Sequence, residues 1–120
     1  MNRRYCMTLD LKDDPALIEE YKRYHRAVWP EILDRIRRSG IQDMEIYLLG
    51  TRLFMTMEVS AEFSFEAKQA ADANDAKTQE WETLMWKYQQ ALPGSKPGEK
   101  WLRMERIFRL GDDEQGSVRA

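Results

Sequence analysis

The folds open to this chain are limited most by where its hydrophobic spacing changes period. Arg4 to Asp10 alternates Tyr5, Met7 and Leu9 with Cys6, Thr8 and Asp10, the two-residue period of a strand. From Leu17 the period lengthens. Leu17, Ile18, Tyr21, Tyr24, His25, Val28, Ile32 and Ile36 recur at three- and four-residue intervals, one helical stripe facing a core. Asp14 before Pro15 is an N-cap with proline at the first helical position, and Gly40 ends the helix after Ser39. Pro30 falls inside this helix and removes a backbone hydrogen bond, so a kink or break is expected near Trp29. Two strand-like runs follow, Met44 to Leu49 and Leu53 to Val59, with Gly50-Thr51-Arg52 as the hairpin link. A weak helix is expected over Phe65 to Ala73 and a stronger one from Lys77 to Ala91, burying Trp81, Leu84, Met85, Tyr88 and Leu92. Pro93 to Gly98 is a loop, Trp101 to Leu110 a last strand, and Gly111 to Ala120 a polar tail expected to be disordered.

Strand, helix, strand, strand, helix, strand is the α+β, ferredoxin-like βαββαβ plan, a four-stranded antiparallel sheet with its helices on one face. Residues 1–110 are expected to form a single domain of this kind. The helices leave the other sheet face bare, and Met, Phe, Leu and Ile are dense in all four strands. A second copy packing sheet to sheet would cover that face and make a symmetric homodimer.

Charged residues make up 33% of the 120 residues, but their signs nearly cancel to a formal −2, which argues against a nucleic-acid partner. No apolar run approaches a membrane span, and Met1-Asn-Arg-Arg leads straight into strand-like sequence without a signal-type apolar region. Cys6 is the only cysteine, so no intramolecular disulfide forms and a reducing cytoplasm is the expected location. One cysteine and one histidine cannot supply a Cys/His zinc cage, so no metal is expected.

That one histidine, His25, lies in the middle of the helical stripe, with Tyr21 one turn back on the same side. Imidazole titrates near neutrality, so His25 can give and take protons at working pH, and a nearby tyrosine hydroxyl would complete an acid/base pair. A core histidine satisfied by one hydrogen bond fits the same spacing, as does a core tyrosine with its hydroxyl at the rim.

The string Tyr21-x-x-x-His25-x-x-x-Trp29-Pro30-Glu31, with Trp86-Lys87-Tyr88 and Pro93 five residues on, resembles the L-rhamnose mutarotase family of small dimeric α/β barrels. The resemblance covers essentially Arg4 to Leu110. The longer string from Trp81 to Gln90, with Pro97-Gly98-Glu99-Lys100-Trp101 after it, is similar to a branch of that family associated with L-fucose. The resemblance implies an isomerase, an aldose 1-epimerase that interconverts the α and β anomers of a 6-deoxy hexose, L-fucose or L-rhamnose. It implies His25 as the catalytic acid/base and Tyr21 as a sugar contact or second proton partner. The family's adjacent tryptophan pair stands here as Met85-Trp86, and a further sugar-contacting tyrosine as Met44. Both departures remove aromatic or polar surface and make L-fucose at least as strong a candidate as L-rhamnose. Trp86, a large indole on a mixed helix face, would be an aromatic platform for the sugar or a dimer contact, and the resemblance favours the platform. Trp81, on the buried stripe, reads as a core residue that can also wall the substrate site. Ring opening and closure need an acid and a base but no redox cofactor or metal. The same fold plan serves dimeric α/β-barrel monooxygenases and haem-handling proteins, in which His25 would ligate iron. It also suits a non-catalytic ligand-binding module in which His25 is merely buried.

Overall fold

The structure, a computed structural model, describes residues 3–111, so the polar tail beyond Gly111 lies outside it. In chain order the elements are β1 (Arg3–Leu11), α1 (Pro15–His25), α2 (Pro30–Arg38), β2 (Ile41–Leu49), β3 (Arg52–Val59), α3 (Phe65–Ala73), α4 (Ala76–Trp86), β4 (Gln89–Gln90) and β5 (Leu102–Arg103). This is the ferredoxin-like plan with each helical segment divided in two. The sheet is antiparallel in the order β2-β3-β1-β4, and β5 also pairs with β1.

Local chemistry starts and stops the elements. The Asp14 carboxylate accepts from the amides of Ala16 and Leu17 at the head of α1, and the Asp75 carboxylate accepts from Thr78 at the head of α4. The first helical segment is broken rather than kinked. Trp29 is held at φ −56°, ψ 135°, the extended conformation that a following proline imposes, and Pro30 becomes the first residue of α2. His25 is thereby the last residue of α1. Gly40 closes α2 at φ +100°, where a Cβ would also lie 2.9 Å from Ser60 Oγ. The β2–β3 hairpin turns through Gly50 and Thr51, with Leu49 opposite Arg52.

One face of the sheet carries Tyr5, Met7, Leu53, Met55, Met57 and Val59 into contact with the helices, and Ile32, Trp81, Met85 and Tyr88 are among the residues buried against it. The Tyr88 hydroxyl donates to Glu20 Oε1 at 2.8 Å, tying the chain after α4 to α1.

Three expectations are corrected. The strong helix ends at Trp86, not Ala91, because the free edge of β1 captures the next residues: Gln89 pairs with Leu11 and Gln90 with Asp10. The last strand is confined to Leu102–Arg103 opposite Thr8 and Met7. Beyond it Ile107, Phe108 and Leu110 are exposed, so no burial within the described residues holds that stretch to the sheet. The uncovered sheet face is not broadly apolar. Arg4, Thr8, Asp10, Glu45, Thr56 and Glu58 occupy it, with an Asp10–Arg52 ion pair, and Tyr47 and Phe54 are its aromatic exceptions. Alternation sends Met7, Leu9, Met44, Leu53, Met55 and Met57 to the helical side, while Leu49 stays on the outer face, 84% exposed.

Candidate active site

Between the helices and the apolar sheet face is a cavity of about 560 Å³, lined among others by Tyr21, His25, Met44, Trp81, Met85 and Gln89. That volume is within the range of small-molecule sites. Five of the six residues expected at the site therefore share one cavity. Tyr21 and His25 reach it from α1, Trp81 and Met85 from α4 one turn apart, and Met44 from the inward-facing positions of β2.

His25 Nδ1 lies 2.8 Å from the backbone carbonyl oxygen of Tyr21. A carbonyl can only accept, so Nδ1 carries the proton and Nε2 keeps its lone pair. Burial holds the imidazole pKa below its usual 6.5, with the bond to the Tyr21 carbonyl acting in the opposite direction. The neutral ring is thus favoured at neutral pH, with Nε2 free to accept a proton.

Tyr21 is 4% exposed, its ring 4.4 Å from that of His25 by centroids. Its oxygen accepts from Gln89 Nε2 at 3.3 Å, a contact that leaves the phenol proton available to another partner. Burial raises the Tyr21 pKa above 10, against the lowering pull of the Gln89 hydrogen bond. Trp81 stands edge-on to His25 at 5.9 Å and to Trp29 at 5.0 Å. It fixes the wall beside the imidazole and is backed by the indole that packs at the helix break.

Trp86, expected to be the sugar platform, is not among the residues lining the cavity. One step along α4 from Met85 turns it about 100° around the helix, and its ring lies under the Lys100 ammonium at 4.7 Å. The tryptophans that line the cavity are Trp81 and Trp101.

Sequence reasoning missed Gln89, Asp72, Lys68 and Lys100, all of which line the cavity. Asp72 is buried near the end of α3, and its Oδ2 accepts from Lys68 Nζ at 2.5 Å. Lys100 Nζ donates to the Glu82 carbonyl at 2.9 Å, and burial lowers its pKa. Charged residues on a short helix and in a Pro/Gly loop read as solvated, and only the chain path turns them inward. Among the described residues, no three His, Cys, Asp or Glu side chains group as metal ligands, and no helix is long and apolar enough to cross a membrane.

Residues 4–110 match the family described as L-rhamnose mutarotase. The chain belongs to the L-rhamnose mutarotase family. It is 48% identical to an L-fucose mutarotase of Xanthomonas campestris pv. campestris over 97% of both chains. It is 33% identical to an L-rhamnose mutarotase of Klebsiella pneumoniae subsp. pneumoniae over 70% of this chain and 75% of that one. The crystal structure of an L-rhamnose mutarotase from Formosa agariphila superposes with a TM-score of 0.67, covering 90% of this chain and 98% of that one at 21% identity. At that identity the superposition establishes the mutarotase fold. Met44 and Met85, the positions at which the resemblance expects a tyrosine and a tryptophan, both line the cavity.

Proposed function

We propose that the protein is a mutarotase that interconverts the α and β anomers of a 6-deoxy hexose, with L-fucose preferred over L-rhamnose. The observation that carries the mechanism is the 2.8 Å contact of His25 Nδ1 with the Tyr21 carbonyl, which leaves Nε2 as an acceptor on a ring that lines the cavity. Family membership supports the reaction class, and the 48% identity to a protein named L-fucose mutarotase supports the substrate. Met44 and Met85 give that substrate an apolar surface against which a methyl-bearing sugar packs, and Trp81 walls the proton carrier.

In this reading His25 Nε2 removes the proton from the anomeric O1 while the Tyr21 hydroxyl delivers its proton to the ring oxygen O5. The C1–O5 bond breaks and a C1=O1 double bond forms. Rotation about C1–C2 exposes the other face of the aldehyde. Closure then returns the O5 proton to Tyr21 and the His25 proton to O1, regenerating both groups. Acid/base assistance of this kind contributes about 10² to 10⁴ in rate, a useful gain over a reaction that water already performs slowly.

The protein works as a homodimer in a reducing cytoplasm in this reading. Ile107 is 90% exposed and Phe108 and Leu110 are each about two-thirds exposed, an apolar segment suited to burial against a second copy alongside Tyr47 and Phe54. The unpaired Cys6 fits the compartment. Saturation-transfer NMR on the anomeric protons of L-fucose and L-rhamnose tests the function. Faster exchange with protein present, larger for L-fucose, is the expected result, and no acceleration of either sugar overturns it.

A further inference from the structure

Gln89 is 4% exposed, a buried amide on a two-residue strand beside β1. Its Nε2 donates to the Tyr21 oxygen at 3.3 Å, while its Oε1 is buried and accepts no hydrogen bond from the described residues. Turning the amide over would exchange the two ends and still leave one of them unpartnered. Gln89 lines the same cavity as His25. A second acceptor faces the same lack: Asp72 Oδ1 is buried without a donor among the described residues, and Asp72 also lines the cavity. Buried polar atoms are almost always paired, so two orphan acceptors on residues that line one cavity mark a place short of hydrogen-bond donors, which sugar hydroxyls can supply.

We propose that Gln89 is a specificity-determining residue, its carbonyl oxygen accepting from one ring hydroxyl of the bound 6-deoxy hexose while its NH₂ group holds the Tyr21 oxygen. The inference rests on the mutarotase reading of the site and adds to it a residue outside the acid/base pair. The two ends of one amide couple the tasks. A sugar whose hydroxyl reaches Oε1 engages the same side chain whose NH₂ keeps the phenol proton turned away from Gln89. L-Fucose and L-rhamnose differ in the configuration of two ring hydroxyls, so an acceptor fixed by a strand can favour one of them. A site built to bond a hydroxyl discriminates strongly against an analogue that lacks it, because the site's own polar atom is then stranded.

The test is anomeric exchange measured for L-fucose and for analogues missing one ring hydroxyl each, with wild-type protein and Gln89→Met. With wild type, one analogue is expected to lose about ten-fold or more in kcat/KM, the size of one hydrogen bond to a buried group. With Gln89→Met, that analogue and L-fucose should react alike, while the other analogues keep their wild-type ratios to L-fucose. A merely structural glutamine would lower every sugar by the same factor and leave all ratios unchanged, which overturns the proposal. Indifference of the wild-type protein to every hydroxyl overturns it without any variant. No acceleration of L-fucose itself overturns the mutarotase reading instead, and this inference with it.

Discussion

His25 and Tyr21 are joined twice: the imidazole Nδ1–H donates to the Tyr21 carbonyl at 2.8 Å, and the two rings sit 4.4 Å apart. One turn of α1 therefore fixes the tautomer of the base and places a phenol beside it. Gln89 on β4 and Trp81 on α4 then hold the pair from outside the helix, through the Tyr21 oxygen and the edge of the imidazole.

The first prediction concerns pH. Burial depresses the His25 pKa below 6.5, and the proposed mechanism uses the unprotonated ring. Background-corrected kcat/KM is expected to fall as pH drops through a value below 6.5 and to stay level from about pH 7 to 9. Activity that instead increases on acidification below 6.5 would show that the imidazolium is the form required. The same depression favours the folded state above pH 6.5, a contribution lost as pH falls through the folded-state pKa.

Tyr88 should report on the link between α1 and the chain after α4. Its hydroxyl bonds to Glu20, and burial first and Glu20 second push its pKa up to about 12. Tyr88→Phe is expected to destabilise the protein by about 1.5–3 kcal/mol in urea unfolding, the range for a hydrogen bond to a charged group. Because the folded-state pKa is raised, Tyr88 stabilises the fold fully below about pH 10 and loses that contribution as pH rises toward about 12. The variant should flatten this alkaline slope. Tyr21, also raised by burial, keeps part of it.

The two tryptophans of α4 should behave differently. Trp81 is 9% exposed and belongs to the core, so Trp81→Ala is expected to lose about 3–5 kcal/mol in the same assay. Trp86 belongs to neither core cluster, and Trp86→Ala should change stability by about 1 kcal/mol or less. Equal losses would place Trp86 in the core after all.

What the sequence disclosed follows from which forces are local. The break after His25 was legible because proline acts on its own neighbour, Trp29, whatever surrounds it. The hairpin at Gly50 and the caps at Asp14 and Gly40 are local in the same sense. The end of α4 was not, because Ala91 and Leu92 continue a helical pattern that a distant strand edge overrides. That error hid Gln89. On a helix running to Ala91 it is one polar residue of a mixed face, and only on a strand beside Leu11 does its amide meet Tyr21. His25, Tyr21, Trp81, Met85 and Met44 share a cavity because alternation and helical period already assigned them inward faces. Trp86 fails the same periodic test, its neighbour Met85 having taken the inward position.

The most direct test compares wild type with His25→Ala by saturation-transfer exchange on the anomeric protons of L-fucose. Replacing the imidazole should leave the protein folded, with far-UV circular dichroism unchanged. It should remove most of the rate above the spontaneous background, about 10²-fold or more. A folded His25→Ala protein that exchanges the anomers as fast as wild type would contradict the account, because the proton would then be carried by another group.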